Sequence, residues 1–158
     1  MKKSIYSYVF LVILLLGFTA VSNAQDNSAL VGEWNPMGAK LKDKESKYMD
    51  IFEKASMLEM KIKYVFKADS TFELINGGEV TVKGKFIFDK TNSIINLKGK
   101  YREMTAKGSP DNFEMIKGDW KDFEKGVNVK ELRENLLVLI RDEGTPYEYF
   151  VLYQRAQQ

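Results

Sequence analysis

Cysteine and histidine are absent from this chain, and proline is scarce, with three residues. Without cysteine there is no disulfide, no thiolate nucleophile and no thiol near the amino terminus to carry a lipid. Without histidine there is no Ser-His-Asp triad, no imidazole general base and none of the usual zinc or copper sites, so no metal ligands are assigned. No cofactor is implied. Acid–base chemistry would fall to carboxylates such as Glu143/Glu148 or Asp119/Asp122. Each pair is close in sequence and placed near turns, so both read as solvated acids, and the chain reads as a non-enzyme. A charge whose strand parity turned it inward, Glu73 or Arg141, would carry more chemical interest.

An excess of charge of one sign is also lacking once the amino terminus is set apart. Lys2 and Lys3 precede an apolar run from Tyr8 to Phe18, and Ser22 and Ala24 supply small residues ahead of Gln25. This three-part pattern predicts a cleavable secretory leader over residues 1–24, leaving residues 25–158 as one domain. The apolar run is shorter than the roughly 20 residues of a permanent membrane helix, so no stable span is expected after cleavage. The expected location is the bacterial periplasm or the exterior, without a lipid anchor. Lys2 and Lys3 account for the whole excess of 24 Lys+Arg over 22 Asp+Glu. The remaining domain is neutral and has no global attraction for nucleic acid.

What the domain does have is alternation. Met60, Ile62, Tyr64 and Phe66 share one face, with lysines on the other. Lys67-Ala68-Asp69-Ser70 turns the chain into Thr71–Ile75, and Asn76-Gly77-Gly78 is a hairpin signal. Val80, Val82, Gly84, Phe86 and Phe88 follow on one face, and Gly84 marks a bend. Ile95, Leu97, Gly99 and Tyr101 alternate next; Val127–Leu132, Leu136–Arg141 and Tyr147–Arg155 complete the strands. Pro36 and Gly38 limit the opening strand, Leu30–Trp34, to something short or bent. One segment has helical period: Tyr48, Ile51, Phe52, Ala55 and Leu58 predict a helix over Asp43–Leu58. Phe113, Ile116, Trp120 and Phe123, behind Ser109-Pro110-Asp111, suggest a short helix or packed loop.

The expected fold is mainly β, an antiparallel up-and-down barrel of about eight strands with one helix inserted after the first strand. The last hairpin is apolar on both faces, so its outer face needs cover. The helix is the expected cover; the Phe113–Phe123 segment, or a homodimer through this hairpin, are the alternatives.

Leu30-Val31-Gly32-Glu33-Trp34, followed by short meandering strands, resembles the lipocalin-like (calycin-type) domains of secreted bacterial proteins. The resemblance implies that Gly32 and Trp34 open the first strand, that Trp34 plugs one barrel end, and that Arg155 packs over it. The placement of the helix is similar to the lid of intracellular fatty-acid-binding proteins. A helix after the last strand, which lipocalins have, is missing. The resemblance further implies a small hydrophobic or amphipathic ligand inside the barrel. The inward candidates are Met60, Ile62, Tyr64, Phe66, Phe72, Phe86, Phe88, Tyr101, Tyr149 and Val151. The alternative is a filled barrel acting as an interaction or structural module of the cell envelope.

Overall fold

The computed structural model describes residues 27–42, 49–109, 112–145 and 147–157. The leader expected over 1–24 and the first part of the expected helix lie outside the described residues. A 3-10 turn at Asn27–Ala29 leads into β1 (Gly32–Leu41). Next come α1 (Met49–Glu59), β2 (Ile62–Phe66), β3 (Thr71–Asn76), β4 (Glu79–Asp89) and β5 (Ile94–Tyr101). Then follow β6 (Met104–Ser109), β7 (Asn112–Lys117), β8 (Lys121–Arg133), β9 (Leu136–Arg141) and β10 (Tyr149–Arg155).

Eight of these strands close into an antiparallel barrel in the order β1-β10-β9-β8-β5-β4-β3-β2. The fold is therefore mainly β, with one helix after the first strand. Closure removes the sheet edges and buries the alternating apolar face of each strand around one core. The turns follow from local chemistry. Gly77 and Gly78 have φ of 58° and 86°, the paired positive values of a two-residue hairpin turn. Asp69 closes the preceding turn, its Oδ1 accepting from the Thr71 backbone N–H at 3.0 Å and hydroxyl at 2.6 Å.

The strand order gives the barrel two unlike ends. One is filled. Trp34, Phe66, Phe72 and Phe86 are almost wholly buried there, with Leu30 and Ile95. The Phe66 ring packs on Phe86 at 4.7 Å and on Phe72 at 6.3 Å. Asn27 stitches the chain before β1 to this end, donating to Ser70 Oγ and accepting from the Phe88 N–H. At the other end α1 meets the barrel. Phe52 and Ala55 pack against the core, and the Phe52 ring lies edge-on to Tyr149 at 5.8 Å.

Five expectations are corrected. Of the two alternatives, short or bent, the first strand takes the second, and it is not confined to Leu30–Trp34. It runs through Pro36 and Gly38, with a register shift between them. β2 pairs with β1 only at Gly32–Trp34, so Pro36 sits where no β2 partner needs its missing N–H. Second, the segment around Phe113–Phe123 holds no helix among its described residues. It forms the two-stranded β6–β7 sheet, with Ser109 opposite Asn112, and then the start of β8. The apparent helical spacing spans two strands and their connection. Third, β8 begins at Lys121, well before Val127, because β5 is long enough to pair it from Tyr101 onward. Fourth, α1 does not cover the outer face of the last hairpin. Its contacts go to inward side chains at the barrel mouth. Met60, expected to begin a strand, lies in the turn after α1 and packs half-buried against the core.

Candidate functional site

Between the aromatic plug and α1 the barrel is hollow. A cavity of about 420 Å³ is lined by the apolar side chains of Ile62, Leu74, Val82, Leu97, Phe123 and Val127. Tyr64, Tyr101, Tyr149, Glu59, Lys125, Arg141 and Asp142 add polar atoms to its wall. This volume lies at the small end of the roughly 300–1,000 Å³ typical of ligand pockets.

The polar side of the wall is organised around Arg141. As the last residue of β9 it follows Leu137 and Leu139 in period two, so it points inward with them. Its Nε donates to Glu59 Oε1 at 2.9 Å and its Nη2 to Glu59 Oε2 at 3.2 Å. The same Nη2 donates to Tyr64 Oη at 2.7 Å, and Tyr153 Oη donates to Glu59 Oε2 at 2.9 Å. The ion pair is largely shielded, with side-chain exposures of 12% and 15%. Burial by itself works against the guanidinium charge. Tyr64, Glu59 and Tyr153 outweigh it and hold Arg141 well above its ordinary range. Burial raises Tyr64 and Tyr153, and pushes Tyr149 up to about 12. The wall therefore carries the Arg141 cation, paired with Glu59, beside the neutral hydroxyls of Tyr64 and Tyr149, while the buried Tyr153 holds Glu59 from outside the lining.

The opposite end is closed by Trp34 and Arg155. The guanidinium carbon lies 4.4 Å from the centroid of the indole. Arg155 Nη2 donates to Ala29 O at 2.6 Å, Nη1 to Val31 O, and Nε to Glu134 O at 2.6 Å. The Trp34 Nε1–H is satisfied by Leu30 O at 2.8 Å. Gly32 has φ of 140°, and a Cβ there would stand 3.3 Å from Arg155 Nη1. Glycine thus admits both the backbone conformation and the arginine.

Of the ten inward candidates, Ile62, Tyr64, Tyr101 and Tyr149 reach the cavity. Phe66, Phe72, Phe86, Phe88 and Val151 belong to the packed core, and Met60 packs beside it. Leu74, Val82, Leu97 and Val127 stand in the alternating strands and were available from parity. Phe123 was hidden by the misread segment. Glu59 could not be found from strand period, because it ends a helix. Glu73 faces outward and pairs with Lys67 at 2.8 Å, whereas Arg141 is inward. Among the carboxylate pairs, Glu148 is buried and accepts from Gly144 N and Lys42 Nζ, while Glu143 pairs with Asn128. Asp122 reaches Lys100 at 3.8 Å. None of these acids lies with another around the cavity as an acid–base pair.

No curated protein matches the chain. Among solved structures, a DUF4847 family protein from Bacteroides vulgatus is similar over 80% of this chain and 94% of its own, at 16% identity and a TM-score of 0.43. A family model described as "Lipocalin-like domain (DUF4923)" matches residues 21–116, more than half of the chain. That match spans β1 to β5 of the closed barrel, α1, β6 and most of β7. The chain belongs to the DUF4923 family of lipocalin-like domains.

Proposed function

We propose that this domain is a binding protein, not a catalyst, and that its barrel takes up a small hydrophobic or amphipathic molecule. The observation that carries the reading is the 420 Å³ cavity, whose lining joins apolar side chains to Arg141 and the hydroxyl of Tyr64. An apolar chain gains by leaving water for that wall, while a polar end finds fixed donors. The leader-like amino terminus supports an extracytosolic site of action. Native mass spectrometry of the protein purified from its own host tests the reading. A noncovalent adduct on the order of a few hundred daltons, absent from Val127→Trp, is expected. A bare chain after incubation with every amphiphile tried contradicts it.

A second reading, an envelope interaction module, has its own observation. The outward side chains Leu136, Ile140, Phe150 and Leu152 form a half-buried apolar stripe on β9 and β10. Self-association through this hairpin would make sedimentation concentration-dependent, and Phe150→Lys would abolish that dependence.

A further inference from the structure

The donors around Glu59 make a carboxylate site that the chain fills with its own carboxylate. The Arg141 fork meets the two oxygens at 2.9 and 3.2 Å, and the Tyr153 hydroxyl adds a third donor at 2.9 Å. This bidentate geometry is matched to a planar anion, and two-point recognition of that kind favours a carboxylate. The occupant is oddly placed by its own helix. Glu59 is the last residue of α1, where the helix dipole disfavours a negative charge, and the last turn holds no basic residue. Arg141 and Tyr153 therefore hold it there, across the barrel mouth. Met57 and Leu58 beside it are about 60% exposed, so at this end of α1 the apolar anchors are Ala55 and the half-buried Met60. Directly beside the cluster, Ile62, Leu74 and Leu97 offer an apolar wall with no polar partner of its own.

We propose that Glu59 is an internal stand-in for the head group of a carboxylate-bearing amphiphile. Such a ligand places its tail along the cavity, takes over Arg141 and Tyr153, and releases the carboxyl end of α1. The inference rests on the reading of the cavity as a ligand site and adds the class of ligand and the gate. The exchange swaps one carboxylate for another, so the buried guanidinium is never left unpaired, which would be strongly unfavourable.

Calorimetric titration of the full chain with decanoate and with decanol, which share a tail and differ in head group, tests it. Decanoate is expected to bind several times more tightly. Glu59→Gln removes the internal competitor and is expected to widen that preference by about tenfold, while Arg141→Met abolishes it. Amide hydrogen exchange on the unmutated chain gives a second measurement. Saturating decanoate is expected to speed exchange in α1, and decanol is not. Equal binding of the two ligands, a preference unchanged in Glu59→Gln, or α1 protection unaltered by decanoate overturns the stand-in while leaving the cavity reading intact. Binding of neither ligand overturns both. If Glu59→Gln does not fold, the exchange measurement decides.

Discussion

Gly84 and Gly99 lie opposite each other across β4 and β5, too close for either to carry a side chain. A Cβ on Gly84 would stand 2.2 Å from the Lys98 carbonyl oxygen, and one on Gly99 would stand 2.1 Å from that of Lys83. Phe72 pairs with Gly84 from β3, and Phe123 pairs with Gly99 from β8. Their rings meet edge-on at 6.3 Å over the bare backbone. The two glycines thus let the strands pinch together while flanking aromatics refill the volume. Because the clash is with backbone, Gly84→Ala is expected to cost about 3 kcal/mol. The urea midpoint reads this directly; a loss under about 0.5 kcal/mol, the range of neutral surface changes, would contradict the pinch.

The closed end predicts a sharp difference between arginine and lysine. Arg155 stacks on Trp34 while its three nitrogens serve Ala29, Val31 and Glu134. A lysine cannot serve three carbonyls spread around a planar fork. Arg155→Lys is expected to lose about 2 kcal/mol, from unpaired carbonyls and a weaker cation–aromatic contact. Tryptophan fluorescence followed through denaturant unfolding measures it.

The alkaline limb of stability is set by phenols. Tyr149 is raised to about 12, and Tyr64 and Tyr153 are raised as well, in each case foremost by burial. A group raised in the folded state stabilises fully below its unfolded value, about 10 for tyrosine, and that contribution is lost as pH climbs through the folded value. With no histidine or cysteine to titrate in between, stability is expected to be flat from about pH 6 to 9 and to fall above 10. Tyrosinate absorbance is expected to appear in two steps, the later one together with unfolding. A single step near pH 10, with the fold intact, would contradict the burial of these rings.

The acid limb has the opposite sign. Glu148 is held below the usual carboxylate range, first by the Gly144 N–H and then by Lys42. Its stabilisation is present above the unfolded carboxylate value and is lost as pH falls through the lower folded one. Glu148→Gln is expected to flatten the acid limb relative to the unmutated chain, as read by thermal midpoints from neutral pH downward. An acid limb of undiminished slope would show that the fold does not depend on this carboxylate.

How much of this was written in the sequence depends on the element. Period two in Ile62–Phe66 and Glu79–Asp89, with glycine turns between, made the barrel legible, because closure simply buries the common face. The position of Gly32-Glu33-Trp34 before those strands made the plugged end legible. The segment from Met104 to Lys121 was not, because strands that lie outside the barrel have no core to impose alternation. The site was legible only in part. Glu73 and Arg141 stood as equal inward candidates, because β9 is apolar on both faces; the closed fold turns Arg141 inward and brings Glu59 to it from a helix. The aromatics read as one stripe divide into a solid plug and a hollow wall, a distinction set by how eight tapering strands pack and not by residue type.

Ligand uptake depends on the hollow half of the barrel. Titration calorimetry of decanol into the full chain and into Val127→Trp, which fills the cavity, addresses it most directly. Saturable one-to-one binding by the unmutated chain, and its loss in the folded variant, are expected. Binding that is absent from the first, or equally strong in the second, would contradict uptake there.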